Sequence, residues 1–480
     1  MRILALNPPF KKKYSRQSRS PCVTKGGTFY FPYFLAYMVG LIEKNGFNVK
    51  LLDSVAKEWD QEQTLKFAKE FNPDLIVVDT STPSIYNDVE VATILKKSLS
   101  QAHVNLVGTH PTALPKETMA LSDQINSICI GEYDYTILEL AQSIEAESDL
   151  KKVSGLTYRY NKKIHTNGPR ELIKNLDDLP FVSSVYKKHL HIKDYFYASL
   201  CHPQITILTA RGCPYNCSFC NSPYKKSYRA RSTDNVLDEF EFIQRELPYV
   251  KEVMIEDETF PADKKRTLDL CSGLMDRRIK VKWSCNARVN TDYNTLKAMK
   301  DAGCRLLCVG FETPTQPSLD TIGKRTTKAL QLSFMKNANQ LRMLVNGCFM
   351  LGLPGDNEDS IAKTVTFAKQ LNPDTAQFYP LMVYPGTGSY SWAKEKGYLK
   401  TEDFSKWLDL KGRHATTINY PDLTNEKLGE LCDTARMKFY LRSDYLTYKI
   451  RQSLTSPSEA LRTLKAAKTF FRYLANNIFS

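Results

Sequence analysis

Twice along this chain, short apolar runs rich in β-branched residues alternate with segments whose apolar residues recur at spacings of three and four. The first series runs Ile3–Leu6, Val49–Leu52, Leu75–Val78, Val104–Val107 and Ile125–Ile130, with helical patterns at Phe34–Asn45, Gln61–Phe71, Asn87–Ser100 and Tyr135–Ala146. Runs that are apolar on both faces and joined through helices have to be buried in a parallel sheet covered on both sides. The class is therefore α/β, opening with a doubly wound, Rossmann-like parallel sheet. The second series starts at Ile205 and continues through Val253–Ile255, Val281–Ser284, Leu306–Phe311, Val345–Leu351 and Ala376–Tyr379, separated by helices such as Ser232–Arg245, Leu296–Lys300 and Ile361–Leu371. Six such βα units predict a sheet curled into a partial (βα)6 barrel, followed by a helical C-terminal tail. A chain of 480 residues exceeds one core. We expect domains at 1–148 and 200–390, a linker at 149–199 with a short hairpin strand at Val153–Tyr160, and a helical region at 391–480.

Directly after the first run of the second series stands Arg211-Gly-Cys-Pro-Tyr-Asn-Cys-Ser-Phe-Cys220, with cysteines in a Cys-x3-Cys-x2-Cys pattern. Gly212, Pro214 and Asn216 make this a loop, where thiols are not buried for packing. Three thiolates so close together can converge on one iron–sulfur cluster, for which they are suitably soft ligands. A four-iron cube takes four ligands, so a three-cysteine set leaves one iron open to a substrate or cofactor. Zinc would need a fourth protein ligand nearby, and Cys201 and His202 stand at the far end of the strand, about 20 Å away when extended. Of the other cysteines, Cys271, Cys285, Cys304, Cys308 and Cys348 each stand alone in an apolar segment and read as small buried side chains.

The loop resembles the signature of the radical S-adenosylmethionine (SAM) superfamily, Cys-x3-Cys-x-aromatic-Cys, with Phe219 as the aromatic residue. The resemblance implies that Cys213, Cys217 and Cys220 hold a [4Fe–4S] cluster while the amino and carboxylate groups of SAM occupy the fourth iron. It implies also an electron donor such as flavodoxin or ferredoxin, since one electron from the reduced cluster splits the sulfonium to a 5′-deoxyadenosyl radical.

Barrel chemistry belongs at the carboxyl ends of the strands. There the sequence places Glu256-Asp-Glu258, Asn286 and Arg288, Glu312, and Gly352-Leu-Pro-Gly355. Carboxylates can accept from an ammonium group and ribose hydroxyls, a guanidinium can clamp a carboxylate, and glycine lets backbone approach adenine. Phe219, Asp257, Glu258, Arg288, Glu312, Gly352 and Pro354 are the candidates for SAM binding; taken singly, each charged one reads equally well as a solvated loop charge. The blocks Asp257-Glu-Thr-Phe260, Trp283-Ser-Cys-Asn-Ala-Arg288, Gly310-Phe-Glu-Thr313, Leu351-Gly-Leu-Pro-Gly355 and Tyr384-Pro-Gly-Thr387 look like those of the branch containing the anaerobic magnesium-protoporphyrin cyclase and the hopanoid-biosynthesis radical SAM proteins. Reactions in that branch include methyl transfer, oxidative cyclisation and carbon-skeleton rearrangement.

In the first domain ligands should sit over the carboxyl ends of the strands. No Gly-x-Gly-x-x-Gly follows the first run and no Walker loop occurs, which disfavours a nucleotide site. An N-terminal sheet joined to the three-cysteine loop resembles the cobalamin-binding domain of cobalamin-dependent radical SAM enzymes. By that resemblance the hydroxyl groups of Thr80, Ser81, Thr82 and Ser84 and the small residues Gly108 and Gly131 approach the corrin and its nucleotide tail, and His110 and Glu132 at the same strand ends are further candidates. The Asp-x-His-x-x-Gly signature that supplies a histidine to cobalt elsewhere is missing, because the first run ends in Asn7-Pro8-Pro9. His110 remains a candidate ligand, though a loop histidine is more often a hydrogen-bonding residue. An α/β domain that merely kept this fold and binds nothing is the alternative.

The net charge of +14 calls for an explanation. From Arg436 to Ser480 nine basic residues face two acidic ones, so the tail supplies half the excess. Leu461, Leu464, Ala467, Phe471, Leu474 and Ile478 form one face of a basic amphipathic helix, which either docks on its own protein or lies on an anionic membrane surface. No recognition motif accompanies these residues, which argues against nucleic acid. With no apolar run of signal or spanning length, we expect a cytoplasmic protein, at most peripheral to the inner face of the membrane. The leading expectation is a cobalamin-dependent radical SAM enzyme, most simply a methyltransferase, acting at an unactivated carbon of a small-molecule or lipid-linked intermediate. A radical SAM cyclase or rearrangement enzyme and a non-enzymatic iron–sulfur sensor are the alternatives.

Overall fold

The computed structural model describes every residue except Pro223, 456–459, 461–462, 465–466 and 469–480. Five strands, β1 (Arg2–Asn7), β2 (Asn48–Asp53), β3 (Leu75–Thr80), β4 (His103–Gly108) and β5 (Ser127–Cys129), run parallel in the order β2-β1-β3-β4-β5. They lie where the apolar runs predict, because β3 is buried along its whole length and β1 along all but Arg2. Helices Tyr33–Lys44, Gln61–Phe71, Ile85–Ser98 and Asp134–Glu145 are the main helices of this unit. Asp60 starts the second of these by accepting from the Gln63 N–H while the Gln63 side chain accepts from the Asp60 N–H, and Asn72 in a left-handed conformation ends it.

Beyond β5 this sheet continues. Residues 149–199, expected as a linker, contribute an antiparallel hairpin, β6 (Leu156–Tyr160) and β7 (Lys163–Thr166), to its edge. The hairpin strand expected at Val153–Tyr160 therefore belongs to the first sheet, with Leu156, Thr157 and Tyr158 buried against it. Helix Val182–His189 from the same stretch buries Val182, Val185 and Tyr186.

The second unit opens with β8 (Gln204–Ile207), and a short antiparallel pair, β9 (Ala210–Arg211) and β10 (Arg229–Ala230), closes the base of the cysteine loop. Next come β11 (Glu252–Ile255), β12 (Lys282–Ala287), β13 (Cys304–Glu312), β14 (Leu344–Leu351) and β15 (Thr375–Pro380). With β8 they form a six-stranded, all-parallel sheet in the order β8-β11-β12-β13-β14-β15. Phe311, Phe349 and Phe378 stack on three neighbouring strands at 5.6 and 5.3 Å, and Phe378 meets Phe439 of helix Asn425–Tyr440 at 5.9 Å. This ladder seats the tail on the barrel, each ring pair contributing about 0.5–1.5 kcal/mol beyond its buried area.

Arg436 donates to Asp433 and to Phe378 O, and Arg442 to the Asn372 side chain, so these basic residues of the tail dock on their own protein. Most of the amphipathic stretch 457–480 lies outside the described residues. No helix among the described residues is long and apolar enough to cross a membrane.

Residues 8–32, between β1 and the first helix, form a strap that crosses from the first sheet to the barrel. Phe29 bridges to Phe196, the Val23 N–H donates to Gly412 O at 2.7 Å, and Lys25 meets Asp433 at 2.6 Å.

Candidate functional site

The loop bearing the three cysteines is anchored on several sides. Gly212 has φ +86°, and a Cβ there would stand 2.4 Å from Ser227 O, so only glycine lets the loop close on its own return. The Lys226 N–H donates to Cys213 O at 2.7 Å, the Ser218 N–H to Ile322 O at 3.0 Å, and the Ser389 N–H to Ser218 O at 3.1 Å. The segment following β13 and the turn after Tyr384 thus grip the loop from outside. Burial pushes the Cys213 and Cys220 thiols up, Cys220 adding to the first and Cys217 to the second, while Arg288 acts against the first shift and Arg19 and Lys225 against the second. Thiols that feel one another inside a cationic surround suit an anionic cluster. Cys217 Sγ points to Gly323 O at 3.8 Å, and among the described residues no three Cys, His, Asp or Glu side chains stand together to grip a single metal ion. The donor set fits instead a cluster whose separate irons are each met by one thiolate.

Around Cys217 the strand ends gather charges. The Arg288 guanidinium lies 3.8 Å from the Tyr215 ring centroid, donates to Lys324 O, reaches Cys217 Sγ at 3.8 Å, and keeps its buried Nε without a partner among the described residues. Glu312, at φ +62°, pairs with Lys324 Nζ at 2.6 Å, both being buried, and Lys324 stands 5.9 Å from the Phe219 ring. A guanidinium with a spare N–H, an ammonium and a carboxylate beside the cysteines could hold an amino acid's two charged ends.

Other predicted residues are engaged differently. Asp257 accepts from the Thr209 N–H and hydroxyl, both at 2.6 Å, tying the end of β11 to the segment after β8, and burial pushes its carboxyl up to about 6. Gly352 lies under Leu428, where a Cβ would stand 2.5 Å away, and its carbonyl accepts from the Tyr420 hydroxyl at 2.9 Å. It packs the C-terminal helix, with partly buried Pro354 in the turn that follows.

A cleft opens between the two sheets. Thr80, Gly108 and Gly131 line it from the first domain, Glu256 and Glu258 from the end of β11, and Arg19 from the strap. Among the described residues nothing lies within 4 Å of where a Cβ on Gly131 would stand, whereas a Cβ on Gly108 would meet Thr80 O at 2.3 Å. A floor of bare backbone of this kind fits a broad, flat macrocycle.

Four predicted residues of the first domain do not face this cleft. Ser81 Oγ bonds the Tyr14 and Ser84 hydroxyls, each at 2.8 Å, and Thr82 meets His110 Nδ1 at 3.2 Å. His110 is 2% exposed, edge-on to Phe404 at 4.9 Å, and burial lowers its pKa to about 4, so it packs in the core rather than reaching a ligand. Glu132 accepts from Arg211, Arg229 and the Ile173 N–H, each at 2.8 Å; burial works to raise its pKa, and the guanidinium groups overcome it and hold the carboxyl low.

Sequence reasoning missed the strap's contribution. Gln17 donates to Asp79 at 2.8 Å and accepts from the Phe34 N–H at 2.6 Å; burial pushes Asp79, which lines the cleft, up to about 7. The available signal was a connection as long as 8–32 carrying Arg16 and Arg19 inside a compact α/β unit.

The chain matches the model of the Radical SAM superfamily over residues 207–368 and that of the B12 binding domain over residues 20–141. It is 30% identical over 449 residues to an uncharacterized methyltransferase of Pyrococcus horikoshii, covering 93% of this chain and 94% of that protein. It is 25% identical over 433 residues to the anaerobic magnesium-protoporphyrin IX monomethyl ester cyclase of Cereibacter sphaeroides, covering 88% and 68%. Among solved structures, the radical SAM methyltransferase TsrM of Kitasatospora setae matches with a TM-score of 0.68 at 18% identity, over 83% of this chain and 77% of that one. The cobalamin-dependent SAM radical enzyme OxsB matches with a TM-score of 0.62 at 17% identity, over 91% and 61%, and likenesses at such identities concern the fold. With a relative this similar along nearly the full length of both chains and both family models matched in order, the chain belongs to the cobalamin-dependent branch of the radical SAM superfamily, enzymes whose cofactors are a [4Fe–4S] cluster, SAM and cobalamin.

Proposed function

We propose that this enzyme methylates an unactivated carbon of a small-molecule or lipid-linked biosynthetic intermediate. The observation that carries the reading is the cleft itself, lined on one side by the strand ends of the B12-binding domain and on the other by the end of β11 in the barrel. When bound, the cluster and SAM supply a hydrogen-abstracting radical and cobalamin supplies a transferable methyl group.

The chain's own residues hold and shield. Cys213, Cys217 and Cys220 would hold the cluster, and Arg288, Lys324 and Glu312 the charged end of SAM. Thr80, Gly108 and Gly131 would form the backbone floor beneath the corrin. Tyr33, Phe34, Tyr133 and Tyr224 line the same cleft and would keep water from a reactive centre. The electron would come from a small reductant such as a flavodoxin or ferredoxin.

Reconstituted enzyme incubated anaerobically with dithionite, the small-molecule fraction of a cell extract and SAM carrying a trideuteriomethyl group tests the reading. Deuteriomethylated product, S-adenosylhomocysteine and 5′-deoxyadenosine are expected together. Deoxyadenosine without a labelled product redirects the reading to cyclisation or rearrangement, which the likeness to the magnesium-protoporphyrin cyclase over 88% of this chain supports as the second choice. Peripheral membrane contact through the tail is a separate proposal, and equal liposome sedimentation with and without residues 457–480 removes it.

A further inference from the structure

We propose that Glu256 is a substrate-positioning residue: its free carboxylate oxygen accepts a hydrogen bond from a hydroxyl or amine group of the substrate in the cleft. The inference rests on the radical SAM reading above and adds a polar group that the substrate carries.

The backbone aims this side chain. The Glu256 N–H donates to Ile207 O at 2.9 Å, which continues the parallel register of β11 against β8 for one residue past the strand end. There the side chain lines the cleft while only 5% exposed. Its two oxygens differ. Oε1 stands 4.0 Å from Arg19 Nη2, and Oε2 is buried with no hydrogen-bond partner among the described residues. A buried carboxylate oxygen with no donor is costly, so such an atom facing a cavity points to a ligand that supplies one.

Most of the surrounding groups are engaged elsewhere, although the Asn286 side chain also lies within hydrogen-bonding reach of the Glu256 carboxyl. Asp257 is satisfied by Thr209, and Glu258 accepts from the Ser222 hydroxyl at 2.8 Å. From the strap, Arg19 donates to Asp257 O at 2.8 Å and Glu256 O at 3.3 Å, and the Tyr30 hydroxyl donates to Tyr197 at 3.4 Å. From the first helix, the Tyr33 hydroxyl donates to Gln17 O at 2.7 Å; from β12, Asn286 donates to Asp257 O at 3.0 Å; and the Tyr197 hydroxyl contacts Cys308 Sγ of β13 at 3.8 Å. Burial pushes Glu256 up to about 7; Arg19 and Asn286 favour its charged form and Asp257 and Glu258 oppose it. The group therefore changes charge inside the assayable range. A substrate held here bears a hydroxyl or amine group, and a plain hydrocarbon chain would leave Oε2 unpaired.

The test uses the full-length reconstituted enzyme, trideuteriomethyl-SAM and the small-molecule fraction of a cell extract. Glu256→Gln is expected to lower labelled product about tenfold or more at limiting extract, the worth of one charge-assisted hydrogen bond, with a smaller loss at saturating extract. Glu256→Asp is expected to recover part of it. Wild-type labelling should rise as pH passes about 7, and that rise should vanish in Glu256→Gln. Iron and corrin contents equal to wild type show that the variants fold. Equal labelling by Glu256→Gln, or an unchanged pH profile, overturns the proposal.

A second arm needs no substrate. Dicyclohexylcarbodiimide adds to protonated carboxyls in apolar pockets and is expected to modify Glu256 at about pH 6 but not at about pH 9. An unmodified Glu256 in the mapped peptides overturns the proposal even where methylation is observed. Modified Glu256 without any deuterated product from the wild type supports a ligand-facing acid while removing the methylation reading.

Discussion

Arg211, which immediately precedes the glycine of the cysteine loop, donates from Nη1 to Asp134 Oδ2 at 2.7 Å and from Nη2 to Asp134 Oδ1 at 3.2 Å, across the boundary between the two sheets. Both side chains are buried, and Glu132, two residues before Asp134, pairs with Arg211 and Arg229 at 2.8 Å each. Since β9 and β10 pair Arg211 with Arg229, one buried network fixes the base of the cysteine loop against the segment that carries Gly131, one of the cleft-lining glycines of the first domain. Removing one partner of a buried charge pair strands the other. Asp134→Ala is expected to lower unfolding stability by about 3–5 kcal/mol and to reduce iron retention, read by urea denaturation and iron assay.

Cys217→Ser replaces one of the three thiolates. It should lose bound iron and visible absorbance and lower 5′-deoxyadenosine formation by more than about a hundredfold, since ligand loss exceeds the effect of disturbing an outer partner. Wild-type iron content in the variant would remove Cys217 from the cluster.

Gly131→Ala places a methyl group on the cleft floor at a residue with φ +77°. The left-handed conformation costs about 1 kcal/mol, and the methyl fills space proposed for the corrin. Corrin absorbance after reconstitution should fall while iron content stays at the wild-type level.

His110 provides a pH prediction. Burial depresses its pKa to about 4 in the folded chain from 6.5. Between those values the unfolded chain binds a proton that the folded chain refuses, so stability falls as pH drops from 6.5 towards 4. His110→Gln should flatten this slope by about 2 kcal/mol between neutral pH and pH 5, measured by denaturant titration at each pH. Asp79, raised to about 7 by burial, works in the opposite direction, which is why the comparison is made between variants at one pH.

The strands and the chemistry of the cysteines were legible locally. A buried parallel strand announces itself as a continuous apolar run, so β1 to β4 and β11 to β15 fall on their predicted runs with ends shifted by a few residues. A hairpin strand is legible at Val153–Tyr160, but its pairing with β5 is not, because the partner of an antiparallel strand is set by tertiary contact and not by its own pattern. Among the candidate site residues, Thr80, Gly108, Gly131 and Glu258 line the cleft, while Glu132, His110 and Gly352 are taken up by ion pairs and packing.

By itself the sequence determined the class of fold, the order of its two units and the three-thiol loop, because each is written in the spacing of neighbouring residues. The tertiary structure decided which polar side chains are free. Arg19 reaches a carbonyl 238 residues away and Arg211 a carboxylate 77 residues away, and no local pattern records such partners. Whether a buried carboxylate is a structural counter-ion, as in Asp134, or has an oxygen left for a ligand, as in Glu256, depends on donors that only folding brings within reach.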